Sequence, residues 1–210
     1  MNNRTTVRIL PLIAPQTGDA NDPMEVAMSS PEATLTDLPV GTWTVDAVHS
    51  SANFAVKHMI VATFRGRFDA IDGSLTVNED GSARLVGLVK TGSIVVKDEN
   101  LQGHLGSPDF FDTERFPEIK FESTSIRRTG DELVLDGQLT IKDKTHPVEA
   151  TGTISGPAIT LGDAEKIGLT LETVIDRTQF GLEWNAPLPK GGFALENDVT
   201  LTVELELVKS

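Results

Sequence analysis

The chain has 210 residues and a formal net charge of −13 at pH 7, with 31 acidic against 18 basic residues. This balance argues against nucleic acid, whose phosphates require Lys and Arg patches, and against adhesion to anionic lipid surfaces. Because the chain has no cysteine, disulfides, thiol catalysis and cysteine-ligated zinc are excluded.

The first 38 residues differ in composition from the rest of the chain. All nine phenylalanines and both tryptophans follow residue 42, so the early segment has too few apolar groups to offset its ordering entropy. We predict a disordered tail over residues 1–38 and one folded domain over residues 39–210. The apolar run near the start is framed by Pro11 and Pro15. Since a signal peptide needs about 7–15 uninterrupted apolar residues, we predict a cytoplasmic protein without stable membrane insertion.

Beyond Pro39, apolar and polar side chains alternate with a period of two. In the last segment, five apolar residues from Val199 to Leu207 face one way, and the threonines and glutamates between them face the other. Such alternation is typical of antiparallel strands with one solvated face. Turn signals such as DG, EDG and SGP separate roughly eight of these segments. Closure would remove exposed edges, so we predict an all-β, eight-stranded antiparallel barrel.

One change of parity predicts a bend in a long strand. Phe64, Gly66 and Phe68 share a face, whereas Leu75 and Val77 lie on the opposite parity. If both sets point inward, a bulge must lie between them, around residues 70–73.

A compact aromatic insert interrupts the strands at residues 98–113. Asp98 is a candidate N-cap for a short helix that ends near Gly106. Ser107 and Pro108 repeat the start signal before two adjacent phenylalanines. We therefore predict two helical turns that place Leu101, Leu105, Phe110 and Phe111 at the barrel mouth as a lid.

Four motifs in order along residues 40–208 resemble the YceI-like family. They are DAVHSSANFAVKHMIVATFRGRF (46–68), GHLGSPDFFDTERFPEIKFEST (103–124), LTIKDKTHPVEA (139–150) and IDRTQFGLEWN (175–185). The resemblance implies an extended, lipocalin-like eight-stranded barrel with a long apolar tunnel. One departure is that Leu101-Gln102 stand where many members carry Arg-Asp.

The same resemblance implies a non-catalytic protein that binds, carries or stores a long-chain apolar amphiphile. The ligand would be a polyisoprenoid, an isoprenoid quinone or a fatty-acid derivative, with no other cofactor, and a homodimer is left open. The side chains predicted to line the cavity and bind it are Phe54, Val56, His58, Phe64, Phe68, Leu101, His104, Leu105, Phe110, Phe111, Phe121, Leu139, Ile141, Arg177, Phe180, Leu182 and Trp184.

The four histidines are the obvious candidates for metal or catalytic chemistry. Their spacing contains neither HxH nor HExxH, and a zinc site needs three or four converging ligands, so we predict no metal. His58 is interpreted as a hydrogen-bonded interior residue, His49 as a cap at a bend and His146 as a solvated turn residue. His104 either contacts ligand or satisfies a helix end.

Two roles remain open for Arg177, and two further functions remain as alternatives. Asp176-Arg177 forms either a structural ion pair or a turn, or Arg177 instead meets a polar ligand head. An enzyme could act on a small amphiphile with His58 or His104 as general base, although no G-x-S-x-G elbow occurs. A protein-interaction module is the third possibility.

Overall fold

The computed structural model describes Leu35 and residues 38–210. Within that part, helix α1 spans Glu99–Gly106, and short 3-10 turns span Thr91–Ser93 and Arg177–Phe180. No described helix combines the length and the apolar character needed to cross a membrane. The strands are β1 (Gly41–Val45), β2 (Ser51–His58), β3 (Ala62–Phe68), β4 (Ile71–Val77), β5 (Ala83–Lys90), β6 (Ile94–Val95), β7 (Glu118–Thr129), β8 (Glu132–Ile141), β9 (Lys144–Ile159), β10 (Glu165–Asp176) and β11 (Leu195–Lys209).

The strands form a closed antiparallel barrel. Eight of them follow one another around the ring in the order β1-β4-β5-β7-β8-β9-β10-β11, and β11 pairs with β1 to close it. Strands β2, β3 and β6 continue β1, β4 and β5 beyond bends, because β2 pairs with β11, β3 with β2, and β6 with β3. The prediction of an eight-stranded all-β barrel with a short helical insert is confirmed.

The predicted change of parity lies at Asp69-Ala70, between β3 and β4. Phe68 and Ile71 are both buried on either side of it. The amides of Asp69 and Ala70 leave the ladder and donate to the carbonyl and hydroxyl oxygens of Ser93, at 3.1 and 3.0 Å. One residue more than strict alternation allows lies between Phe68 and Ile71, so the odd-numbered side chains of β4 turn inward and continue the apolar interior across the bend.

One end of the barrel, which we term the packed end, is filled by side chains. Trp43 is completely buried there, and β4, β8, β10 and β11 contribute the residues around it. Leu35 and Leu38 belong to the same cluster, and the Leu35 amide donates to the Gly81 carbonyl at 3.0 Å. The core therefore includes two residues that composition assigned to a disordered tail. The rest of that tail lies outside the described residues.

The hairpin between β2 and β3 has an unusual tip. Met59 and Ile60 have positive φ angles of 52° and 69°, a conformation that is unfavourable for a β-branched side chain. Ile60 is also 64% exposed, and its neighbour Val61 is 86% exposed. Burial therefore does little to offset the strain at this tip.

Replacing Ile60 by asparagine should stabilise the protein. Asparagine tolerates the left-handed region, in which other L-residues lose about 1–2 kcal/mol, so we expect a gain of about 0.5–1 kcal/mol in the free energy of unfolding. Urea denaturation would measure it. Val61→Asn, at an exposed position without positive φ, is the matched control and should change stability by less than about 0.5 kcal/mol. Equal effects of both changes would contradict the strain argument.

Candidate functional site

The half of the barrel opposite the packed end contains an apolar cavity of about 360 Å³. This volume lies within the roughly 300–1,000 Å³ typical of small-molecule sites. The inward faces of β2–β5 and β7–β11 form its wall, which also reaches Leu85 and Leu205 of the packed end, and α1 covers it. We term residues 98–116 the lid and this half of the barrel the lid end.

All of the side chains predicted from sequence to line a cavity do so, except Phe180. Phe180 is buried, and its ring packs edge-on against His146 at a centroid distance of 5.1 Å. It lies in a 3-10 turn, where the strand parity used to place it does not apply. Whether the lining residues contact a ligand stays a prediction.

Several lining residues were missed by the sequence interpretation. They come from the middle of the barrel, where inward positions of neighbouring strands leave space between them. The signal for their direction was the period-two alternation, but alternation does not show which inward side chains border a void. The missed apolar side chains include Ile71, Leu85, Val89, Ile119, Val148, Ala150, Leu171, Ile175, Leu195, Val199, Leu201, Val203 and Leu205.

Two glycines set the width of the cavity by allowing aromatic rings to lie against the wall. A Cβ at Gly66 would lie 2.4 Å from Cζ of Phe54, and one at Gly137 would lie 2.5 Å from Cζ of Phe121. Both distances are far below contact, so the rings occupy the space that a larger residue would need. Aromatic rings over strand glycines are a known stabilising arrangement.

The lid begins with the N-cap that the sequence predicted, but the end of its helix and the segment after it differ from the prediction. The Asp98 carboxylate accepts from the Leu101 amide at 2.9 Å, which is an N-cap. Helix α1 then ends at Gly106, with Ser107 rather than Gly106 as the C-cap. The second predicted helical turn is a series of turns instead, because Asp112 adopts a positive φ of 49° and reverses the chain.

Aromatic contacts attach the lid to the barrel wall. The His104 ring meets Phe110 and Trp184 edge-on, with centroid distances of 5.1 and 4.9 Å. Phe111 meets Phe68 of β3 in the same way at 5.5 Å. Phe110 and Phe111 are both buried, so they belong to the core of the lid end as well as to the cavity lining.

The structure separates the four histidines. His104 Nε2 lies 3.1 Å from Asp109 Oδ2 within the lid. His58 faces the cavity without the predicted hydrogen bond to any described residue. His146 is not a solvated turn residue, because it lies in β9 and its Nε2 contacts the Gln179 carbonyl oxygen at 3.1 Å.

His49 belongs to a small cluster with Asp46 and Glu206 that is not part of the cavity lining. Its Nδ1 lies 2.9 Å from Asp46 Oδ2, as expected at a bend, and 3.6 Å from Glu206 Oε1. The hydrogen bond to His49 is the main reason that the pKa of Asp46 is lowered. The Lys166 ammonium lies 2.5 Å from Glu206 and 3.7 Å from Asp46, so a cationic side chain already balances these carboxylates.

Arg177 is the one basic side chain other than histidine among the described residues of the cavity lining. It is 4% exposed, and its Nε donates to the Glu196 carbonyl at 3.0 Å. Its Nη1 donates to the carbonyls of Leu182 and Trp184. Its Nη2 is buried and has no hydrogen-bond partner in the described part of the chain. Burial lowers the pKa of Arg177, yet an arginine remains charged at neutral pH.

Of the two structural alternatives for Asp176-Arg177, the turn forms and the ion pair does not, because Asp176 is the N-cap of the 3-10 turn Arg177–Phe180. The Asp176 carboxylate turns instead to Thr178, accepting from its amide at 2.9 Å and from its hydroxyl at 2.6 Å. These hydrogen bonds lower the pKa of Asp176. Among the described residues, no carboxylate lies within 4.0 Å of the Arg177 guanidinium. The charge of Asp176 acts on it only at longer range, raising the pKa of Arg177 against the larger effect of burial.

Comparison with known proteins agrees with the sequence resemblance. Residues 43–207 match the family model of the YceI-like domain. A UPF0312 protein of Staphylococcus aureus strain N315 is 32% identical over 170 residues, which cover 78% of this chain and 95% of that protein.

Solved structures share the fold at lower identity. Burkholderia cenocepacia BcnA has a TM-score of 0.65 at 19% identity, covering 79% of this chain and 99% of BcnA. A polyisoprenoid-binding domain from Saccharophagus degradans, implicated in plant cell wall breakdown, has a TM-score of 0.60 at 12% identity, covering 80% and 98%.

Proposed function

Because the chain belongs to the YceI-like family, we propose that its barrel binds a long-chain apolar amphiphile and carries or stores it without chemical change. The observation that carries this proposal is the apolar cavity of about 360 Å³ in the lid end. A polyisoprenoid, an isoprenoid quinone and a fatty-acid derivative are the ligand classes considered. The structural neighbour from Saccharophagus degradans is described as polyisoprenoid-binding, which supports the class but not a particular ligand.

The shape and chemistry of the cavity support an elongated ligand with one polar end. Its middle is lined by aliphatic and aromatic side chains of β7–β11, whereas His58, His104 and Arg177 lie at the lid end. Burial of a methylene group contributes about 0.8 kcal/mol, so an alkyl or isoprenyl chain would supply most of the affinity. The polar groups near the lid would then meet the head group.

The lining gives less support to an enzyme. Among the described residues that border the cavity there is no serine or lysine, two of the side chains that act as nucleophiles in covalent catalysis. Binding without turnover is therefore the function that the geometry supports best.

Native mass spectrometry of the purified protein tests the proposal directly. We expect a co-purified long-chain species, and displacement of a fluorescent fatty-acid probe by amphiphiles with long tails but not by their short-tailed analogues. Protein that is empty and binds no such probe would contradict the proposal. If the bound species is converted to another compound on incubation, the proposal that the protein is non-catalytic is contradicted.

A further inference from the structure

The guanidinium of Arg177 carries a buried positive charge that forms no salt bridge with a described residue. Its three hydrogen bonds go to neutral carbonyl oxygens, those of Glu196, Leu182 and Trp184. Carbonyls satisfy N–H donors but do not cancel a full charge, and a buried charge is costly unless it is paired. The Asp176 carboxylate beside it is engaged by Thr178.

The position of Arg177 relates this charge to the cavity. Arg177 borders the cavity and is the one Lys or Arg among its described lining residues. It also contacts the Trp184 carbonyl oxygen at 3.0 Å, and the Trp184 indole meets His104 of the lid. The cation therefore lies at the lid end, whereas the packed end around Trp43 is closed by apolar side chains.

We propose that Arg177 binds an anionic head group, a carboxylate or a phosphate, on the amphiphile that occupies the cavity. This inference rests on the proposed function. The head lies at the lid end and the apolar tail extends toward the packed end. Charge-assisted bonds from a guanidinium to an oxyanion are stronger than those to neutral acceptors, and no described group competes for the hydrogens of the buried Nη2.

A purely structural role accounts for only part of the guanidinium. The Nε and Nη1 bonds hold residues 182–184 against β11, and a neutral donor of similar length could make bonds of this kind. The remaining N–H groups at Nη2 have no described partner. The two roles differ in a measurable way, since only the proposed role makes affinity depend on the charge of the ligand head.

The test compares three ligands with the same tail: palmitic acid, cetyl alcohol and hexadecyl phosphate. Each displaces a fluorescent probe from the full chain at neutral pH. We expect the wild type to bind the anions at least about tenfold more tightly than the alcohol, which corresponds to about 1.4 kcal/mol. The relative affinities for palmitic acid and hexadecyl phosphate show whether a carboxylate or a phosphate head group is preferred.

Arg177→Gln should abolish this preference while leaving affinity for the alcohol within about threefold, because glutamine is neutral and can still donate to a carbonyl. Arg115→Gln is the matched control, since Arg115 is an exposed lid arginine that pairs with Asp112 at 3.2 Å. It makes the same change in charge near the cavity and should keep the preference.

A second measurement follows the carboxyl carbon of bound ¹³C-palmitate by NMR during a pH titration. A nearby cation favours the ionised form, so the carboxyl pKa should be lower in the wild type than in Arg177→Gln.

Equal affinity of the wild type for the acid and the alcohol would overturn the inference and leave the proposed function standing. A preference that persists in Arg177→Gln would also overturn it. Failure to bind any of the three ligands would contradict the proposed function itself. If Arg177→Gln does not fold, the wild type alone still tests the inference, because equal affinity for palmitic acid and cetyl alcohol overturns it and a lowered carboxyl pKa of bound palmitate supports it.

Discussion

Replacing Leu201 by tryptophan is expected to lower affinity for a long-chain probe at least about a hundredfold, or about 2.7 kcal/mol. Leu201 lies in β11 between Thr173 of β10 and Phe54 of β2, and it borders the cavity. An indole at this position would occupy the volume that the ligand tail needs. Displacement titration with a fluorescent fatty acid would measure the effect.

The same substitution should leave the barrel folded. Overpacking of a filled core costs about 1–3 kcal/mol, and an indole that enters an existing cavity should cost less. Thr202→Trp is the matched control, because Thr202 follows on the outward face of the same strand. It should bind the probe like the wild type. Unchanged affinity in a folded Leu201→Trp variant would show that the ligand does not use this cavity.

Truncating Trp43 to alanine should have the opposite profile, with a large loss of stability and little change in binding by the folded protein. Trp43 is fully buried in the packed end, and its indole N–H donates to the Pro39 carbonyl at 3.4 Å. Truncation of a buried tryptophan typically lowers the free energy of unfolding by about 3–5 kcal/mol. Urea denaturation would measure this loss.

Trp184→Ala provides the crossed comparison, because Trp184 is the other tryptophan and lines the cavity. It is half-buried, so its truncation should cost less stability than that of Trp43 but should weaken probe binding more. Equal losses of stability would contradict the division of the barrel into a packed end and a lid end. Loss of binding in a folded Trp43→Ala variant would contradict it too.

Strand direction and capping could be predicted because local sequence carries them. Alternation oriented Leu139 and Ile141 inward, and both are buried. Asp98 caps helix α1 because its carboxylate needs only an amide three residues away. The parity of Phe68 and Leu75 revealed a bend, although not the pair of residues at which it occurs.

The remaining features depend on contacts between distant residues. Composition could not show that Leu35 would reach Gly81 and be buried, since the average over the segment conceals single anchored side chains. Strand parity misplaced Phe180, because the residue lies in a 3-10 turn that the alternation did not reveal. Adjacency suggested an ion pair for Arg177, whereas rotation of Asp176 toward Thr178 leaves the guanidinium unpaired.

The closure of the ring by β1 and β11 has a consequence for synthesis on the ribosome. Trp43 pairs with Lys209, and β11 also pairs with β2 and β10, so the first strands have no neighbour on that side until the last strand emerges. Folding dominated by such non-local pairing is slow, and unpaired edges promote aggregation while they persist. The nascent barrel therefore completes its fold only after nearly the whole chain has been translated, and its early edges need protection until then.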